Sequence, residues 1–175
     1  MAINQQKKMD KIELNTHIKA PIDRCFDLAR SIDFHKISGE PLKEESVAGC
    51  TTGLIGHNQH VLIQSHLWGI RFSTELRIAK FNPPFFFSYE IVGNTFQSIV
   101  HDYYFYDISE ETVMINHFYY KPRWGLLGEA INFLFLHNYL TKNITRRNEL
   151  LREYTETGKW KDILPSPKPA VSIVY

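Results

Sequence analysis

Cysteine is scarce in this sequence and neither sign of charge dominates. Only 2 cysteines occur, Cys25 and Cys50, with no zinc-type spacing between them or to a histidine. A disulfide framework and a thiolate metal site are therefore not expected, and a reducing compartment is the simpler setting. Lys and Arg number 20 against 19 Asp and Glu, a formal net charge of +1. No field of one sign is available to gather nucleic acid or acidic lipid. Long hydrophobic runs are missing as well. The longest, 131–136, is interrupted by Asn132 and falls far short of the ~20 apolar residues that span a bilayer. Residues 1–11 are polar and lysine-bearing, without the apolar stretch of a signal peptide. The glycines Gly49, Gly53 and Gly56 lack the Lys-Ser/Thr ending of a phosphate-binding loop. These absences predict a soluble cytoplasmic protein with no cofactor, no metal, no nucleic-acid partner and no membrane insertion.

Apolar and aromatic residues are plentiful. Of 175 residues, 43% are hydrophobic and 14% aromatic, enough for a substantial core in one domain. Aromatics bury large areas with few rotatable bonds, which suits thick cores and ligand pockets. The periodicity divides the chain. Residues 11–18 alternate as a half-buried strand, and Pro21 then opens a short helical face with Ile22, Phe26, Leu28 and Ala29. A second short helix is predicted over 31–38, closed by Gly39 and Pro41. From 43 to 120 the period is two. Strands are predicted over 43–48, 57–67, 70–78, 85–92, 97–108 and 112–120, with turn residues between them. After Pro122 the pattern is helical to Thr157, with Gly158 as its left-handed stop. One stripe of that helix holds Phe133, Leu136, Leu140, Ile144, Leu151 and Tyr154. The tail 165–175 alternates proline with polar residues and ends in a strand-like peptide.

A strand, two short helices, a six-strand meander and a long final helix follow one another from Ile12 to Thr157. The run includes Ala20-Pro21 through Phe26-Asp27-Leu28 and Phe81-Asn82-Pro83-Pro84. It continues with Phe96, Ser98 and His101-Asp102, then Gly125-Leu126-Leu127-Gly128, Arg147 and Leu150. In this order the sequence resembles the START/Bet v1-like (SRPBCC) superfamily, and more narrowly its bacterial polyketide cyclase/dehydrase-like domains. The resemblance implies an α+β helix-grip fold over 11–158. In it, a curved antiparallel sheet of about seven strands wraps a long C-terminal helix, with terminal extensions at 1–10 and 159–175. It also implies a pocket for hydrophobic ligands between sheet and helix. Two positions depart from close relatives: His101-Asp102-Tyr103 replaces a His-acidic-His run, and Asn116 replaces an Asp. Both changes remove an ionisable group.

Strand parity then selects the lining. If Phe105 points inward, so do Tyr103 and His101. On the next strand the matching set is Met114, Asn116, Phe118 and Tyr120, although Val113, Ile115, His117 and Tyr119 are nearly as apolar and a one-residue slip would exchange the sets. Phe72 on the cleanest strand, and Phe133, Leu136 and Leu140 on the helix, complete the expected ligand contacts. Glu90, His101 and Asn116 form the best polar cluster, either to orient a ligand or to satisfy one another within the core. His101 is the weak candidate for a general base; Asp102 beside it points to the other face and cannot assist. Arg146, Arg147 and Arg152 stand among glutamates and read as a solvated helix face. The apolar collar Leu126, Leu127, Ile131, Leu134 and Phe135 has two readings, a gate to the pocket or a contact in a homodimer. Three function classes follow: a binder of an apolar or amphipathic small molecule, a cofactor-free cyclase or dehydratase using His101 or Glu90, and a protein-interaction module using collar and tail.

Overall fold

Alternation in the first strand buries Ile12, Thr16 and Ile18 and leaves Lys11, Glu13 and Asn15 in solvent. The structure, a computed structural model, describes residues 9–39, 44–67, 70–93, 96–122 and 135–164; the side chains of 66, 67, 70, 72, 92, 93, 96, 97 and 122 also lie outside that description. The first strand, β1 (Asp10–Ile18), is followed by helices α1 (Ile22–Ala29) and α2 (Ile32–Ser38). Pro21 supplies the extended residue before α1, and the Ser31 hydroxyl accepts from the Phe34 N–H to cap α2. Six further strands follow: β2 (Glu45–Gly49), β3 (His60–Leu67), β4 (Ile70–Asn82), β5 (Phe86–Gly93), β6 (Phe96–Ile108) and β7 (Glu111–Pro122). The chain then forms α3 (His137–Thr157), stopped by Gly158 at φ 83°.

The seven strands make one antiparallel sheet in the order β1-β7-β6-β5-β4-β3-β2. Sequence and structure differ at several ends. Asn58 sits at φ 60° in a turn, so β3 starts at His60 rather than 57. A register shift between Ile78 and Lys80 lets β4 absorb an extra residue and run on to Asn82. The predicted helix begins in 123–134, which lies outside the described residues.

The β6–β7 hairpin closes through two left-handed residues, Ser109 (φ 46°) and Glu110 (φ 74°), with Ile108 opposite Glu111. Such a turn favours Asn-Gly, and non-glycine residues resist the left-handed region. Glu110→Gly is expected to raise stability by about 1 kcal/mol, read from denaturant melts.

The larger core joins α1, α2, α3 and the sheet through Phe26, Phe34, Ile78, Phe87, Phe105 and Leu151. Phe26 stands at its centre, with the rings of Phe81, Phe87 and Phe105 at 5.6, 5.4 and 5.5 Å. A smaller cluster of Ile12, Ile99, Phe118, Tyr120 and Ile144 sits apart from it. A cleft opens beside both. No helix among the described residues is long and apolar enough to cross a membrane.

Candidate functional site

Where the concave face of the sheet meets the first turns of α3, the walls leave a cleft of about 390 Å³. The sheet contributes Leu76, Tyr89, His101, Tyr103 and Phe118; α3 contributes Leu140, Ile144 and Arg147, with Leu136 just before it; the end of α2 and Glu44 close one side. Register explains the aromatic wall. His101 pairs with Tyr89 on β5 and with Phe118 on β7, so three inward rings stand in one row across the sheet. Tyr103 lies 4.1 Å from the His101 ring and Phe118 5.0 Å from it, measured between centroids.

Behind this wall runs a chain of amide hydrogen bonds. On the inner face of α3, the Asn148 Nδ2 donates to the Thr16 hydroxyl (3.1 Å) and to the Asn116 Oδ1 (2.8 Å). With its oxygen so engaged, Asn116 turns Nδ2 toward His101 Nε2 at 3.2 Å. The imidazole accepts at Nε2 and keeps its proton on Nδ1. Burial, then the positive charge of Arg147, hold the His101 pKa well below the usual histidine value. His101 is therefore a neutral wall residue.

A second histidine, His35, points into the cleft from α2 and meets the Glu44 carboxylate at 3.1 Å. Burial, with Arg147 next in importance, lowers the His35 pKa. At Glu44 burial acts to raise the pKa, but the hydrogen bond from His35 and the nearby positive charge outweigh it and hold the carboxyl below its usual range. Burial likewise raises the phenols of Tyr89 and Tyr103, which stay protonated.

These shifts set the acid response. His35, His101 and His117 have folded pKa values below the ordinary 6.5. The unfolded chain therefore takes up protons first as pH falls past about 6.5. Stability is expected to be flat around neutrality and to drop below about pH 6.5, ahead of the carboxylate range. His101→Gln should flatten that drop in melting curves taken across the range, since the His101 pKa is the one held well below the ordinary value.

The expected contacts divide. His101, Tyr103, Phe118, Leu136 and Leu140 line the cleft. Phe105, 1% exposed, belongs to the main core beneath Phe26. Asn116 is buried behind His101, and Tyr120 is buried with its hydroxyl 3.0 Å from His137 Nδ1. Glu90 requires correction. It alternates with inward Tyr89 and Ile91, so it points outward, 42% exposed, and pairs with Arg77 at 2.7 Å. It does not join His101 and Asn116. Asp102 also faces away from the cleft, bonded to the Ser88 hydroxyl at 2.6 Å. Phe133, Leu126, Leu127, Ile131, Leu134, the tail and the Phe72 side chain lie outside the described residues, while Phe135 is 69% exposed.

Arg147 is the second correction. It does not sit on a solvated face; it lines the cleft, half-buried. Its position could have been found, because 140, 144, 147 and 151 step round a helix on one side. The same stripe carries Asn148. His35 and Glu44 had no such signal, since their pairing joins a helix to a loop residue.

No protein-family model matches the chain, and no curated protein matches it. Solved structures do. The protein TTHA0849 from Thermus thermophilus superimposes with a TM-score of 0.65 at 16% identity, over 85% of this chain and 99% of the other. Ara h 8.0201 gives 0.63 at 11% identity, over 85% and 99%. A START superfamily protein from Mycobacterium smegmatis gives 0.62 at 8% identity, over 82% and 97%. At these identities the likeness establishes the fold: the chain has the START/Bet v1-like helix-grip architecture.

Proposed function

We propose that this protein binds an apolar or amphipathic small molecule in the cleft between the sheet and α3. The observation that carries the reading is the cleft itself. About 390 Å³ of space falls in the ordinary range for small-molecule sites, and its accessible walls are mostly apolar, aromatic rings and aliphatic side chains, with His35, Glu44 and Arg147 set among them. The fold shared with a START superfamily protein agrees with this reading, as does the arrangement of His101. Its Nε2 is held by Asn116, and among the described residues no carboxylate is bonded to it, so the ring is placed to contact a ligand rather than to shuttle protons.

Native mass spectrometry of gently purified protein, followed by denaturing extraction, tests the proposal. A reproducible adduct is expected, and Leu140→Trp, which narrows the cleft, should weaken it. A clean mass, together with no uptake of either dodecanoate or dodecan-1-ol when offered, would count against the reading.

A further inference from the structure

Charge inside the cleft is uneven. Among the described lining residues, Arg146, Arg147 and Glu44 carry formal charge, one positive charge in excess. Glu44 is engaged by His35. Among the described residues, Arg147 makes no hydrogen bond and no ion pair within 4 Å, although Glu44 and His35 both feel its charge. A guanidinium partly removed from water and left without an anion is unfavourable. Its planar fork of donors matches a carboxylate bidentately. The Nδ1–H of His101, left over once Asn116 has taken Nε2, is a further donor on the same wall.

Resting on the binding reading above, we infer that the ligand is an organic acid. Its carboxylate pairs with Arg147, and its apolar body lies along Tyr103, Phe118, Leu136 and Leu140. Arg147 is then the residue that sets specificity. The acid completes an interaction that the described residues leave open, and the aromatic wall supplies affinity without regard to the head group. Glu44 narrows the choice further, because its carboxylate repels a second negative charge and so disfavours dianions.

Calorimetric titration of dodecanoate below its micelle-forming concentration and of dodecan-1-ol below its solubility limit separates head group from chain. The unaltered protein is expected to bind the acid about tenfold or more tightly than the alcohol, as a charge-assisted hydrogen-bond pair would give. Arg147→Met should bring that ratio close to one and Arg147→Lys should keep part of it. Arg152→Met, on the exposed side of α3, should leave it unchanged. Equal affinities in the unaltered protein, or a ratio that survives Arg147→Met, overturns the inference while the cleft stays a binding site. If neither compound binds, the binding reading falls and the inference falls with it. The comparison within the unaltered protein decides the matter even if an Arg147 variant does not fold.

Discussion

Phe87→Ala is expected to remove about 3–5 kcal/mol of folding stability, a large part of the ~5–15 kcal/mol that holds a typical domain together. Phe87 is fully buried on β5. Its ring lies 5.4 Å from Phe26, 4.6 Å from Tyr103 and 5.2 Å from Tyr89. It thus joins the core beneath α1 to the aromatic wall of the cleft. Truncation leaves a hole that rings on three sides cannot close by rotating, so the loss of buried area and the loss of packing add. Chemical denaturation followed by circular dichroism measures the change. Phe87→Leu should lose markedly less. A loss under about 1 kcal/mol for the alanine variant would show that these rings are not packed as described.

Asn148→Leu is expected to cost about 2–4 kcal/mol although it adds apolar surface to a buried position. The amide it removes is the donor to both Thr16 and Asn116, and Asn116 and Asn148 are each nearly inaccessible to water. Leucine leaves the Asn116 oxygen without a donor, and an unsatisfied buried acceptor costs more than the bond itself contributed. The variant also frees the Asn116 amide to turn over, which would remove the donor from His101 Nε2. Nitrogen chemical shifts of the imidazole should therefore show a single Nδ1–H form in the unaltered protein and a mixture in Asn148→Leu. Because the three residues form one chain, the costs of Asn148→Leu and Asn116→Leu should not add in the double variant.

The fold was legible because the hydrophobic period changes cleanly, from two in the strands to 3.6 in the final helix, with turn residues marking the changes. Parity also chose the correct face of β7. Met114, Asn116, Phe118 and Tyr120 are buried, whereas Val113, Ile115, His117 and Tyr119 are only partly so. Extra residues escaped that logic. The register shift after Ile78 leaves no mark in the pattern of β4, because an inserted residue costs little on a strand that is solvent-facing on one side. At the site, chemical type misled where period did not. Glu90 attracted attention as an acid, yet its neighbours Tyr89 and Ile91 already assign it to the outer face. Arg147 looked like surface charge, yet it occupies the turn of α3 between Ile144 and Leu151, both buried. The His35–Glu44 pair joins a helix residue to one outside any helix or strand, and no local periodicity encodes that contact.

That a ligand enters this cleft is tested most directly by methyl NMR, with isoleucine and leucine methyls labelled and dodecanoate titrated in. Shifts are predicted to concentrate at Ile63, Leu76, Ile91, Leu136, Leu140 and Ile144, which line the cleft. Ile18, Leu28 and Ile32, sealed in the main core, should stay in place. Shifts confined to exposed methyls such as those of Ile108, or no shifts at all, would contradict the account.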